Sequence, residues 1–157
     1  MSDLDPSSGS TPRTVDPVYQ DAVEKEVAQR LAMSFATLMV GQMYSGESDY
    51  PYDPFWIEMP ADWPLTPEMF REVLGFEESR EIVMWPVSGP EGQSPTSYEE
   101  VLAAAVYDNL LRQMRATLSD LTEVLARGEN IVQVPYFLFG RLNGGNLVGL
   151  RSISVET

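Results

Sequence analysis

The sequence predicts an α/β (α+β) protein, a three-layer α-β-α sandwich in which helices pack on both faces of a sheet of mixed strand direction. Three observations predict it. Segments with helical spacing alternate with short runs of aromatic and β-branched residues, in the order helix, strand, helix, strand, long helix, strand, strand. The last two strands flank a Gly-rich turn and should form an antiparallel hairpin. With 157 residues, the chain is long enough to bury the core of one domain.

The chain begins with a polar segment and a long helix. Residues 1–15 are rich in Ser, Pro, Asp and Thr, so we expect a disordered extension before a single domain over residues 16–157. Asp16 is a good N-cap and Pro17 suits the first helical position. Apolar residues then recur at helical spacing, and we expect this helix to end between Gly41 and Gly46.

The middle of the chain contains two short strands with a helix between them. Phe55–Glu58 and Arg80–Val87 are dense in aromatic and β-branched residues, which predicts strands. Between them, Thr66 can cap a helix that starts at Pro67, and Gly75 is a typical stop.

A capping box marks the start of the long helix. Ser97 and Glu100 have the Ser-x-x-Glu spacing in which the two residues satisfy each other's free N–H groups. Apolar residues continue at helical spacing, so we expect this helix to run to about Arg127, which lies in its last turn, with Gly128 as the stop.

Two strands close the chain. Ile131–Phe139 and Leu147–Val155 have strand composition, and the turn between them contains Asn143-Gly144-Gly145, which tolerates positive φ. Pro135 has no N–H for a ladder, so we expect a sheet edge or a bulge at its position.

Composition excludes several classes of function. The formal net charge is -14, which argues against nucleic-acid binding; an acidic surface suits a basic partner, or it simply keeps the protein in solution. The chain has no His and no Cys, and Lys25 is its one lysine, so the usual catalytic bases, nucleophiles and zinc ligands are missing and we expect neither an enzyme nor a cofactor. No apolar run is long enough to cross a membrane and no basic leader precedes one, so we expect a cytoplasmic protein without membrane contact.

Two acidic segments are the candidate binding residues. The first is a turn-rich loop with carboxylates at Glu47 and Asp49, two residues apart. The second is the chain end, where Glu156 and Thr157 follow a strand and offer a side-chain carboxylate, a hydroxyl and the terminal carboxylate. Such hard oxygen groups suit a metal ion or a basic pocket. From residue types alone, a solvated loop and a solvated tail remain open interpretations.

Both segments belong to stretches that resemble a known family, the protein inhibitors of the sugar-nonspecific nuclease A. The first stretch runs from Glu47 through Ser48, Asp49 and Tyr50 to the aromatic strand, and the second comprises residues 145–149 and the ending Val155-Glu156-Thr157. The resemblance implies a fold similar to pathogenesis-related proteins. It also implies the inhibition of a magnesium-dependent endonuclease that cuts DNA and RNA.

The resemblance also implies which residues reach the partner. In the family, an acidic loop residue and the carboxylate of a C-terminal Thr enter the nuclease cleft, and they correspond here to Glu47 and Thr157. The Thr157 carboxylate is then expected to approach the metal ion of the partner nuclease. We add Ser48, Asp49, Tyr50 and Glu156 as neighbouring contacts. An acidic protein suits this role, because the cleft of such a nuclease is basic and contains a cation.

Three other functions remain open on the sequence. The same fold could serve as an interaction or regulatory module with a different partner. An enzyme that uses carboxylates alone, such as a glycosidase, is a second alternative, although no pair of acids is fixed at a defined separation. A calcium-binding surface is a third.

Overall fold

A five-stranded sheet and three helices form the described part of the chain. A computed structural model describes residues 17–44, 50–87 and 98–156, with the side chains of residues 22–42, 50–87 and 101–156. The elements are α1 (Pro17–Leu38), β1 (Met43–Tyr44), β2 (Tyr50–Pro51), β3 (Asp53–Ile57), α2 (Pro67–Leu74), β4 (Glu81–Pro86), α3 (Tyr98–Thr117), β5 (Ser119–Arg127), β6 (Gln133–Arg141) and β7 (Leu147–Val155).

The sheet is antiparallel throughout. Its strand order is β3-β7-β6-β5-β4, and every neighbouring pair runs antiparallel. The prediction of a mixed-direction sheet is therefore wrong. The reason is that β4, β5, β6 and β7 are sheet neighbours in chain order, so each can reverse direction onto the next and no parallel crossover is required. The short strands β1 and β2 form a separate antiparallel pair.

The predicted long helix contains a strand. Helix α3 ends at Thr117, and residues 119–127 form β5. Leu118, Leu121 and Leu125 fit helical spacing, but β5 is buried on both faces, and a strand of that kind has a near-continuous apolar run that spacing does not distinguish from a helix. The start of β5 is irregular: Asp120 has a φ of 55° and lies within a register shift of the β5–β6 ladder between Ser119 and Thr122.

Two hydrophobic clusters share the strands of the sheet. Successive residues of β6 alternate between them, because successive side chains of a strand point to opposite faces. Tyr136 and Leu138 belong to the cluster that contains residues of α1 and α3, such as Phe35 and Met114. The residue between them, Phe137, belongs to the cluster of Phe55, Phe139 and, from α2, Phe70.

Local signals predicted α2 correctly. The Thr66 hydroxyl accepts a hydrogen bond from the Met69 N–H at 3.1 Å, and Pro67 begins the helix. Gly75 closes it with a φ of 76°, which places its N–H against the carbonyls of the last turn. Ser97 and the extension over residues 1–15 lie outside the residues that the structure describes; Glu100 lies in the first turn of α3, but its side chain is not described, so the capping box stays a prediction.

The closing hairpin is confirmed, with a shift in its first strand. β7 has the predicted bounds, and β6 starts at Gln133, two residues later than expected. In the turn, Gly145 has a φ of 105°, and a Cβ there would clash with the Met59 carbonyl oxygen. Pro135 lies where the β5–β6 register stops, because the last recorded pair joins Leu125 to Tyr136. Within the described residues, no helix combines the length and the apolar character that a membrane span requires.

Candidate partner-binding surface

The acidic loop is bracketed by a strand pair. β1 and β2 pair Tyr44 with Tyr50 and Met43 with Pro51, so the backbone on the two sides of residues 45–49 is held together. Glu47, Ser48 and Asp49 lie outside the described residues, as does Thr157. The structure therefore gives the two ends of the loop, and it gives the chain end up to Glu156.

Tyr50 is connected to the last strand of the sheet. The Ser152 hydroxyl lies 3.2 Å from the Tyr50 carbonyl oxygen and 2.9 Å from that of Pro51, and it donates to this pair of acceptors. The phenol oxygen of Tyr50 accepts a hydrogen bond from the side-chain amide of Gln133 at 2.9 Å. Gln133 is the first residue of β6 and pairs with Val155, the last residue of β7. These contacts place the end of the acidic loop beside the end of β7.

Glu156 is held by its backbone and by its side chain. Its N–H donates to the Val132 carbonyl at 2.8 Å, which continues the β6–β7 pairing by one residue. Its carboxylate accepts hydrogen bonds from the Arg127 Nε at 2.9 Å and from the Ser154 hydroxyl at 3.2 Å. The hydrogen bond from Arg127 is the main cause that lowers the pKa of Glu156, with Ser154 and the charge of Arg127 contributing and partial desolvation opposing.

Tyr50, after the loop, and Glu156, before the last residue, thus both contact residues at the start of β6 or just before it. Gln133 contacts Tyr50, and its neighbour Val132 contacts Glu156. Both side chains already have partners within the chain, so the structure shows them as anchors of the two segments. In the described part of the chain, no group of three or more acidic side chains is arranged to hold a metal ion.

A polar network built around the buried Tyr136 spans three strands of the sheet. The Glu123 carboxylate accepts a hydrogen bond from the Tyr136 hydroxyl at 2.6 Å and from the Trp85 indole at 2.8 Å. Tyr136 belongs to β6, Glu123 to β5 and Trp85 to β4, so the network connects three strands. Burial, followed by the negative charge of Glu123, raises the pKa of Tyr136 well above 10.0.

The sequence interpretation missed the residues that anchor the two segments. Arg127 was assigned to the last turn of a helix, so its contact with the chain end was not predicted. Gln133 was treated as an ordinary strand position. Ser152 and Ser154 alternate with Arg151, Ile153 and Val155, and this period of two places both hydroxyls on the same face of β7. That pattern is the signal which could have identified them, because buried hydroxyls need hydrogen-bond partners.

Comparison with known proteins identifies a family. The family model described as nuclease A inhibitor-like protein (NuiA) matches residues 26–157. The matched range contains the acidic loop, Tyr50, the anchoring residues and the chain end. No curated protein matches the sequence.

Proposed function

The chain belongs to the nuclease A inhibitor-like family, and we propose that it inhibits a magnesium-dependent, sugar-nonspecific nuclease by binding the active-site cleft of that enzyme. The observation that supports this binding mode is the hydrogen bond between Tyr50 and Gln133. It ties Tyr50, which directly follows the acidic loop, to the residue that pairs with Val155, so we infer that the two acidic segments, far apart in sequence, contribute to one surface. The inhibitor family implies a binding protein without catalysis of its own.

Two carboxylates are the central contacts of the proposed complex. We infer that Glu47 enters the cleft from the loop and that the terminal carboxylate of Thr157 approaches the metal ion of the nuclease, where a substrate phosphate would otherwise bind. Mg²⁺ prefers carboxylate and water oxygens, so a terminal carboxylate is a suitable ligand. Ser48, Asp49 and Tyr50 beside the first group, and Glu156 beside the second, complete the proposed surface.

Charge and rigidity both favour such a complex. The net charge of -14 would steer the protein toward a basic, cation-containing cleft. The strand pair β1–β2 and the pairing of β7 with β6 restrict the segments that flank the proposed contacts. A group on an ordered segment loses less conformational entropy on binding than one on a flexible chain.

We also propose a three-layer arrangement similar to that of pathogenesis-related proteins. Its support is the distribution of core residues: α1 and α3 contribute to one hydrophobic cluster and α2 to the other, while the sheet contributes to both. In this arrangement the helices bury the two faces of the sheet, and the proposed contacts lie at one of its ends.

The position of an affinity tag tests the proposal. Two forms of the full chain, one tagged at each end, would be assayed for inhibition of plasmid cleavage by a sugar-nonspecific nuclease of the His-Asn-metal type with Mg²⁺. We expect the N-terminally tagged form to inhibit. The C-terminally tagged form should not, because its terminal carboxylate is displaced and extra residues enter the cleft. Their thermal midpoints should agree.

Each result has a distinct meaning. If both forms inhibit equally, the chain end is outside the active site and the contact assigned to Thr157 is wrong. If neither form inhibits while both are folded, the protein does not block this class of nuclease, and an interaction module with another partner becomes the better interpretation.

A further inference from the structure

An ion pair joins Glu156, the last described residue of the chain, to Arg127, which belongs to a strand that is not adjacent to β7 in the sheet. Arg127 ends β5, whereas Glu156 follows β7, and β6 lies between these two strands in the sheet. The Arg127 Nε and the Glu156 carboxylate are nevertheless 2.9 Å apart. The recorded β5–β6 register ends at Leu125, so Arg127 lies beyond that ladder. Its side chain contacts the tail from a position outside that ladder.

Three independent contacts meet at Glu156. The backbone N–H is bonded to Val132 at 2.8 Å, one carboxylate oxygen to Arg127 at 2.9 Å and the other to Ser154 at 3.2 Å. The end of a chain ordinarily frays unless such contacts hold it. With both carboxylate oxygens and the backbone engaged, the orientation of Glu156 is fixed relative to β5 and β7.

We propose that Arg127 is a positioning residue of the inhibitory surface, which clamps the Glu156 carboxylate and thereby sets the direction in which the chain end leaves the sheet. This inference rests on the proposed function. It assigns Glu156 a role through Arg127 in place of a direct contact with the nuclease. A carboxylate that already accepts a guanidinium and a hydroxyl has less capacity to bind a second cation.

The solvent exposure of the Arg127–Glu156 pair distinguishes a positioning role from a contribution to global stability. The Arg127 and Glu156 side chains are 43% and 32% exposed, so solvent screens their attraction and the pair adds little to global stability. Local order at the chain end is a different quantity, because few other contacts hold it. Loss of the clamp should therefore weaken inhibition and leave the thermal midpoint in place.

A double-mutant cycle on the full chain tests the clamp. The proteins are the wild type, Arg127→Ala, Glu156→Ala and the double variant, and the readout is the inhibition constant against a sugar-nonspecific nuclease with Mg²⁺. Each single change should weaken inhibition about tenfold, or about 1.4 kcal/mol, comparable to the entropy of ordering one residue. The double variant should be no weaker than either single variant, because both remove the same contact.

Two further variants control for charge and chemistry. Arg30→Ala also removes one arginine from an ion pair, the exposed Arg30–Glu26 pair of α1 at 2.7 Å, and should leave inhibition unchanged. Arg127→Lys retains the charge and should restore part of the inhibition. Amide hydrogen exchange at Glu156 should accelerate in Arg127→Ala and stay slow in Arg30→Ala.

The outcomes distinguish failure of the clamp from failure of the proposed function. If the wild type inhibits and Arg127→Ala inhibits equally well, the clamp has no positioning role. If the losses of the two single variants add in the double variant, Glu156 acts independently of Arg127 and the proposal is overturned. If the wild-type protein itself does not inhibit, the proposed function fails, and a positioning role in inhibition fails with it.

Discussion

Removal of the Tyr136 hydroxyl should expose how much the polar network contributes to stability. Tyr136 is 1% exposed, and its hydroxyl donates to the Glu123 carboxylate at 2.6 Å. Tyr136→Phe deletes this donor while the ring stays in place, so no large cavity forms. The Trp85 indole remains bonded to the other carboxylate oxygen at 2.8 Å. The change therefore removes the hydrogen bond to the Glu123 carboxylate and keeps the aromatic ring.

The distance between the Tyr136 hydroxyl and the Glu123 carboxylate indicates how much free energy of unfolding the substitution should cost. A separation of 2.6 Å between hydroxyl and carboxylate oxygens is typical of a charge-assisted hydrogen bond. Bonds of this class contribute about 1.5–3 kcal/mol, and Glu123 is half-buried, so we expect a loss of about 2 kcal/mol in the free energy of unfolding. Tyr50→Phe is the matched control. Its oxygen accepts from an exposed, neutral Gln133, so the loss there should be about 0.5 kcal/mol.

Urea unfolding at neutral pH measures both variants. The midpoint should fall for Tyr136→Phe while the dependence on urea concentration stays constant, since the surface exposed on unfolding is the same. A Tyr136→Phe variant within about 0.5 kcal/mol of the wild type would show that the hydroxyl and Glu123 gain no more from each other than from water.

The difference in the free energy of unfolding between the wild type and Tyr136→Phe should also depend on pH in the alkaline range. Because the pKa of Tyr136 in the folded protein lies well above 10.0, the unfolded chain releases the phenol proton first as the pH rises. The folded state then holds more protons, so the free energy of unfolding falls above about pH 10. The contribution of Tyr136 is complete below that value and is lost as the pH rises through its raised pKa. The gap between wild type and Tyr136→Phe should narrow from about pH 8 to about pH 11, and a widening gap would contradict the assignment.

Three further predictions follow from charge, the loop and the core. Association with the nuclease should slow as salt rises past physiological strength while dissociation changes less, and stopped-flow association rates that do not respond to salt would exclude electrostatic steering. Glu47→Gln should weaken the complex by about 2–5 kcal/mol with little change in stability, and an unchanged affinity in calorimetric titration would remove this residue from the interface. Phe70→Ala should cost about 3–5 kcal/mol in urea unfolding, because Phe70 is 0% exposed and stacks on Phe139 at 5.5 Å between ring centroids; a loss below about 1 kcal/mol would mean that the core closes over the gap.

Features set by a few adjacent residues were predicted well. The limits of α2 followed from Thr66, Pro67 and Gly75, whose capping roles depend on local backbone geometry alone. The turn before β7 followed from its glycines for the same reason. The acidic loop itself stays a prediction, because residues 45–49 lie outside the described residues, and the structure adds the strand pair on its two sides.

Features set by distant contacts were predicted poorly. Residues 119–127 were assigned to a helix, because a strand covered on both faces has the same apolar density as a buried helix. This one error also hid the antiparallel order of the sheet, since β5 is the strand that joins β4 to β6. The anchors of the tail were missed with it, because Arg127 approaches Glu156 only when β5 exists.

The described residues that flank the two proposed contacts are attached to the same part of the sheet. Tyr50 and Glu156 are each attached to residues at the start of β6 or just before it, namely Gln133 and Val132. β6 is the third of five strands in the sheet order, and its Tyr136 belongs to the polar network with Glu123. We therefore expect the order of β6 to restrict the motion of both Tyr50 and Glu156. A substitution that loosens the start of β6 should accordingly disturb the loop and the tail together, whereas loss of Arg127 should disturb the tail alone.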